Sequence, residues 1–298
     1  MLSVKKYRDS PYDPASLAIA ALYDIPITRV MDSQETDPVL RRPYGAFVRS
    51  FRAYVASHWG RDVESRVSPG FVVQAQPVGG HPKGSPAQRH SGPLLVGLSG
   101  RKQSGKSTTM GLIMEAFDLV DVSISTPMKR MVGAYFGIDP ALFETEAVKA
   151  SIEPITGLTF RRILQEVGKD WGRDCIDPDF WVKMQSLQIK KAIEAGRGGV
   201  VDPSMRFPNE AENWLANKGI VLEIVKPDRP RTPEDDHPGE QPLPRHLVSA
   251  TVVNDGTIEE LRRKAIETVE RLAFVLNRTE GAVSKQAVAL QGPARGGR

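Results

Sequence analysis

Apolar residues recur along this chain in two rhythms. Over residues 45–59 they fall at Phe47, Phe51, Tyr54 and Val55, the spacing of one helical stripe, and residues 15–23 form a second helical candidate among Pro-rich breaks. From Leu94 the rhythm changes. Residues 94–99 are a short apolar run of the kind buried in a parallel strand, and helical spacing follows through Met110, Leu112, Ile113 and Phe117. Further strands are predicted over 120–125, 199–201 and 220–225. Helices are predicted over 128–136, 160–169, 180–195 and 210–217, with a closing amphipathic helix over 257–276 carrying Ile258, Leu261, Ile266, Val269 and Leu272 inward. Strand–helix alternation of this kind predicts an α/β fold, a three-layer domain with a mostly parallel sheet, preceded by a small mainly helical N-terminal region.

Composition divides the chain further. Residues 75–93 are rich in Gly, Pro and Ser and read as a flexible linker, with His81 and His90 as solvated linker residues. The expected organisation is an N-terminal region over 1–74 with no assigned role, the linker, a P-loop domain over 94–276 and a disordered tail over 277–298. No apolar run is long enough to span a bilayer, and the first residues have no apolar core for a secretion signal. The single cysteine, Cys175, excludes an intrachain disulfide and fits a reducing cytoplasm.

The net charge of +4 is unevenly spread. Residues 1–93 hold 12 Lys/Arg against 8 Asp/Glu, whereas residues 94–275 hold 24 against 27. The basic balance therefore belongs to the flanks, and nucleic-acid binding is open only through residues 1–93. There Arg41, Arg42, Arg49, Arg52, Arg61 and Arg66 interleave with Phe47, Phe51, Tyr54 and Trp59. The helical stripe of those aromatics favours a plainer reading, an amphipathic helix with a solvated basic face.

The chemistry centres on Gly100-Arg101-Lys102-Gln103-Ser104-Gly105-Lys106-Ser107. Glycines let such a loop curl its N–H groups around phosphate oxygens, and the helix that follows adds the positive end of its dipole. In this reading Gly100, Gly105, Lys106, Ser107 and Thr108 bind the triphosphate of ATP; Lys106 bridges the β- and γ-phosphates and the Ser107 hydroxyl ligates Mg²⁺. Asp202, ending the weak strand Gly198-Gly-Val-Val-Asp202, is the candidate acid on the Mg²⁺ side. Asn217-Lys218-Gly219-Ile220 lacks the aspartate that a guanine-reading motif needs. Phosphoryl transfer also needs positive charge beyond the P-loop. Arg161, Arg162, Arg173 (in a turn bracketed by Gly168 and Gly172), Arg206, Arg229 and Arg231 are candidates, the last two in a Pro-rich lid segment.

At these residues the chain resembles the bacteriophage-type deoxynucleoside monophosphate kinases, over about residues 94–276. The resemblance rests on the P-loop, Ser125-Thr-Pro-Met-Lys129, Arg161-Arg-Ile-Leu-Gln-Glu-Val-Gly168, Trp171-Gly-Arg173 and Asp179-Phe-Trp-Val182. It continues through Arg206-Phe-Pro-Asn-Glu-Ala-Glu212, Asp236-His237-Pro-Gly-Glu240 and Val253-Asn-Asp-Gly-Thr-Ile-Glu-Glu260. It implies transfer of the ATP γ-phosphate to a deoxynucleoside monophosphate, with Mg²⁺, giving the diphosphate. It also implies that Lys106, Arg161, Arg173 and Arg206 are catalytic, that Trp171, Arg173 and Arg206 meet the substrate, and that His237 belongs to the lid with Arg229 and Arg231. Trp181 reads better as core. One departure stands out: the family often has an acid two residues before the arginine matching Arg206, where this chain has Ser204. Two alternatives stay open, a P-loop kinase for another small metabolite and a P-loop ATPase coupled to nucleic acid; so do the base accepted and a homodimer.

Overall fold

A computed structural model describes residues 12–31, 36–37, 40–61, 63–66, 92–230 and 241–290, with only the backbone of residues 64, 65 and 278–290. Its helices and strands run in the order α1 (Pro14–Tyr23), α2 (Ile27–Met31), α3 (Tyr44–His58), α4 (Val63–Arg66), β1 (Leu94–Ser99), α5 (Lys106–Phe117), β2 (Leu119–Asp121), α6 (Thr126–Phe136), α7 (Glu146–Ala150), α8 (Phe160–Glu166), α9 (Phe180–Glu194), β3 (Gly199–Asp202), α10 (Pro208–Ala216), β4 (Ile220–Val225), β5 (Ala250–Val253) and α11 (Ile258–Leu290). Short 3-10 turns occupy Pro140–Glu144 and Arg245–Leu247, and a π-helical stretch, Val167–Ile176, continues α8.

The five strands form one sheet in the order β2-β3-β1-β4-β5, every pair parallel. Successive residues of β1 point to opposite faces. Leu94, Val96 and Leu98 join Ile113 and Phe117 of α5 and Leu261, Ala265 and Val269 of α11 in one core. Leu95 joins Ile189 of α9, Ala211 and Trp214 of α10, and Val200, Val221 and Met205 in the other. The sheet is thus a middle layer between helices, as expected; the inner strands β1 and β3 are buried along their whole length, whereas the edge strands β2 and β5 each expose a polar residue, Asp121 and Thr251.

Contacts divide the chain into two compact units, Met1–His81 with Ile124–Ser186, and Pro82–Ser123 with Leu187–Arg298. The second holds the whole sheet. The first is helical and is organised by aromatic rings. Phe51 of α3 stands edge-on to Tyr135 of α6 at 5.4 Å and to Trp171 at 5.3 Å, and Phe47 lies 6.3 Å from Phe180. Phe47, Phe51, Tyr54 and Trp59 are therefore core, at 8 % exposure or less, and have no face left for stacking on bases.

Several expectations shift. The predicted strand over 120–125 ends at Asp121, where the carboxylate accepts from the Ser123 N–H at 2.8 Å and turns the chain. β5 escaped the sequence reading because four residues, Ala-Thr-Val-Val, give too little period to recognise. The closing helix does not stop at Leu276. It continues to Leu290 through Ala-, Gln- and Lys-bearing sequence with no proline before Pro293, so the tail expected to be disordered is helical in its first part.

Candidate active site

β1 lies inside the sheet, and the chain leaves it for β2 on one side while β4 lies on the other. In open α/β sheets ligands bind at such a switch point, outside the carboxyl ends of the strands. The P-loop occupies it, connecting β1 to α5. Gly100 and Gly105 take φ values of +135° and +103°, and a Cβ on Gly100 would lie 2.3 Å from the Ile224 carbonyl oxygen. Glycine is required there both for conformation and for space. The Lys106 ammonium donates to the carbonyls of Gly100 (2.5 Å) and Arg101 (2.7 Å), so it folds back over the loop. Thr109, fully buried, donates its hydroxyl to the Gly105 carbonyl at 3.0 Å and fastens the loop to the helix. Ser107 and Thr108 are exposed on the first turn of α5. That turn carries no acid and no side-chain cap, which leaves the positive helix end to an external anion.

Asp202 ends β3 level with Gly97 of β1. It is fully buried, and one carboxylate oxygen accepts from the Ser204 N–H (2.8 Å) and hydroxyl (2.7 Å). The Ser204 hydroxyl in turn meets that of Ser123, beyond β2, at 2.7 Å. A buried carboxyl needs hydrogen-bond partners of this kind. Ser204, where an acid was expected by resemblance, is thus part of the hydrogen-bonded setting of Asp202. Arg206 follows on an exposed loop. The buried Glu210 holds that loop by accepting from the N–H groups of Arg206 (2.7 Å) and Phe207 (3.1 Å).

The other candidates belong to the helical unit. Arg161, on the first turn of α8, is paired with Glu146. Lys149 and then Arg161 hold the Glu146 carboxyl below its usual range. Arg162 pairs with Glu166 at 2.5 Å, and Trp59 donates to the same carboxylate at 2.8 Å. Arg173 is half-buried on the π-helical stretch and not in a turn: the helix continues through both glycines. π-Helical turns often mark functional sites because they displace side chains from the α-helical register.

Trp171, expected to meet the substrate, is at 0 % exposure among Phe51, Phe180 and Trp181, with its N–H directed at the Ser50 hydroxyl. Its ring offers no open face, and it belongs to the core. Trp181 is also core and donates to the Gly168 carbonyl at 2.6 Å. Arg229, half-buried after β4, donates to the Pro230 carbonyl at 3.3 Å. Arg231 and His237, the rest of the expected lid, lie outside the described residues, as do His81 and His90.

The structure therefore gathers Gly100, Gly105, Lys106, Ser107, Thr108, Asp202 and Arg206 along one end of one sheet, while Arg161 and Arg173 belong to the other unit. It adds Asn254, directly after β5, whose side-chain amide donates to the Ser104 carbonyl at 3.0 Å. Sequence reading assigned it no role, because the strand that places it was not recognised.

Comparison with known proteins gives these features a setting. The family model for deoxynucleotide monophosphate kinase matches residues 138–265. A protein of Acanthamoeba polyphaga mimivirus, provisionally named a deoxynucleotide monophosphate kinase, is 30 % identical over 194 residues, covering 59 % of this chain and 96 % of that protein. The deoxynucleotide monophosphate kinase of Enterobacteria phage T4 is 29 % identical over 241 residues, covering 60 % of this chain and 99 % of the relative. That of Escherichia phage RB69 is 28 % identical over 145 residues, covering 48 % and 57 %. With the P-loop at the switch point of a parallel sheet and near-complete coverage of the mimivirus relative at this identity, the chain belongs to the deoxynucleotide monophosphate kinase family.

Proposed function

We propose that this protein transfers the γ-phosphoryl group of ATP to a deoxynucleoside monophosphate, with Mg²⁺, and releases ADP and the deoxynucleoside diphosphate. The observation that carries the reading is Lys106, folded over a left-handed glycine loop at a helix N-terminus with no side-chain cap, with Asp202 ending the strand that pairs with β1.

Transfer of a phosphoryl group demands little covalent chemistry from a protein; it demands positioning and positive charge. The N–H groups of the loop and of the first turn of α5 would bind phosphate oxygens of ATP. Lys106 would exchange the Gly100 and Arg101 carbonyls for the β- and γ-phosphates. Among the described residues no three His, Cys, Asp or Glu are grouped to hold a metal. The donor set available is the Ser107 hydroxyl and the Asp202 carboxylate, both hard oxygens. That suits Mg²⁺, which is commonly held by one or two protein groups together with substrate phosphates and water. When bound, Mg²⁺ supplies neutralisation of the charge between the β- and γ-phosphates. The Ser204 hydroxyl and N–H would orient the Asp202 carboxylate, and Ser123 would hold Ser204 in place. By the resemblance, Arg206 would meet the transferring group with Arg229 on the lid side, and Arg161 and Arg173 are its arginines for the acceptor phosphate. For Arg161 this requires exchange of Glu146 for a phosphate, a stronger dianionic partner.

ADP release measured with ATP and Mg²⁺ against a panel of deoxynucleoside and ribonucleoside monophosphates tests this reading. It expects release that depends on a deoxynucleotide acceptor. Release that needs no acceptor, or that responds to DNA alone, would rule it out.

A further inference from the structure

Asn254 has a place in the site that neither the P-loop motif nor the family match assigns. Its backbone is fixed first. The Asn254 N–H donates to the Val225 carbonyl at 2.7 Å, tying the end of β5 to the end of β4. On the following side, Lys264 of α11 donates to the Val253 carbonyl (3.3 Å) and to Asp255 (2.5 Å). Glu260 and Thr257 cap α11 reciprocally, at 2.8 and 3.2 Å. The side chain projecting from this anchored turn reaches the P-loop. Its amide donates to the Ser104 carbonyl at 3.0 Å, and a Cβ on Gly105 would lie 2.5 Å from its Nδ2.

The bond falls on one particular peptide unit, that joining Ser104 to Gly105. In a planar trans peptide the C=O and the next N–H point in opposite directions. A donor that holds the Ser104 carbonyl toward β5 therefore holds the Gly105 N–H away from it. Gly105 is the N-cap of α5, with φ +103° and no side-chain cap at that helix end. A glycine in such a loop is otherwise free to flip its peptide, since both hands of φ are open to it. The absent Cβ at residue 105 thus serves two ends, the left-handed turn and the close approach of Asn254.

We propose that Asn254 is a positioning residue for the triphosphate: it fixes the Ser104–Gly105 peptide with its N–H turned to the phosphate side and so pre-organises the P-loop before nucleotide arrives. The proposal rests on the reading of the P-loop as the ATP site. Pre-organisation raises affinity by removing an ordering cost that binding would otherwise carry. Its loss should appear in triphosphate binding and leave the acceptor monophosphate untouched.

The test is calorimetric titration of the full chain with ATP and, separately, with a deoxynucleoside monophosphate that the wild type phosphorylates, for wild type, Asn254→Ala, Asn254→Asp and Lys106→Ala. Asn254→Ala should bind ATP roughly tenfold more weakly, the scale of one lost hydrogen bond, with monophosphate affinity within about twofold of wild type. Asn254→Asp keeps the shape but sets a carboxylate against the Ser104 carbonyl, and should lose more than Asn254→Ala. Wild-type ATP affinity in both Asn254 variants, with Lys106→Ala impaired, overturns the role of Asn254 and leaves the P-loop reading intact. Equal losses for both nucleotides with a lowered melting temperature also overturn it, as a merely structural effect. If wild type does not bind ATP, or Lys106→Ala binds it as well as wild type, the P-loop reading itself fails.

Discussion

At the level of single residues, Lys106 and Arg161 each have a partner that a phosphate would displace. Lys106 donates to the carbonyls of Gly100 and Arg101, and a phosphate outcompetes them because it meets the ammonium with a full opposite charge. Arg173 is proposed to hold the acceptor phosphate. Arg173→Ala should lower kcat/KM for the monophosphate by ~2–3 kcal/mol, the range for hydrogen bonds to charged groups, with the KM for ATP little changed. Steady-state kinetics with each substrate varied in turn checks this, and a loss confined to ATP would contradict it. The place of the P-loop between a strand and a helix was legible in the sequence because its glycines, lysine and hydroxyl stand at a fixed spacing after an apolar strand. Trp171 misled because an aromatic in a motif looks the same whether it stacks on a base or fills a core. Only its 0 % exposure separates the two.

At the level of elements, two local devices shape the helical unit. The π-helical stretch Val167–Ile176 brings Gly172 against the Trp181 indole, so a Cβ there would lie 2.4 Å from Nε1 and 2.7 Å from Cε2. The indole is held by its bond to the Gly168 carbonyl at 2.6 Å. Gly172→Ala would gain up to about 1 kcal/mol of helix propensity. Overpacking against a fixed ring costs about 1–3 kcal/mol. The clash wins, and the melting temperature should fall; a rise would show that the ring moves freely.

The second device is the N-cap of α1. Asp13 accepts from the Ser16 N–H at 2.8 Å and hydroxyl at 2.7 Å and pairs with Arg52 at 2.6 Å. Burial, the largest influence, pushes its carboxyl up, but Ser16 and Arg52 together outweigh it and leave it below the ordinary 3.8. A carboxyl lowered in the folded state stabilises above its unfolded value and loses that contribution as pH falls through the folded one. Asp13→Ala should therefore cost ~1 kcal/mol at pH 7, and the gap between variant and wild type should close as pH drops below that value. Denaturant titrations at several pH values would show it; a gap independent of pH would deny the ionised cap. The sequence reading placed a helix over 15–23 without assigning Asp13 as its cap, and the π-helix was not readable because it goes with the fit of Gly172 to a ring nine residues on.

At the level of the whole molecule, the parallel three-layer sheet was legible because strand and helix periods alternate over a long stretch. What composition could not show is which segments share a core. The aromatic stripe of α3 packs with residues drawn from 124–186, far along the chain, so the N-terminal helices complete the helical unit that also carries Arg161 and Arg173. Phe51 is central to it, at 0 % exposure among Tyr135, Trp59 and Trp171. Phe51→Ala should destabilise by ~3–5 kcal/mol, the cost of emptying an aromatic site. It should also weaken use of the monophosphate. An unchanged melting temperature would mean that the N-terminal helices contribute nothing to that core.

The central claim is that one phosphoryl group passes from ATP to a deoxynucleoside monophosphate through the P-loop. It is tested most directly by following γ-labelled ATP with Mg²⁺ and the accepted monophosphate, for wild type and Lys106→Ala. The expected result is label in the deoxynucleoside diphosphate, matched one for one by ADP, with transfer abolished in Lys106→Ala. Label recovered as inorganic phosphate, or transfer that survives in Lys106→Ala, would contradict it.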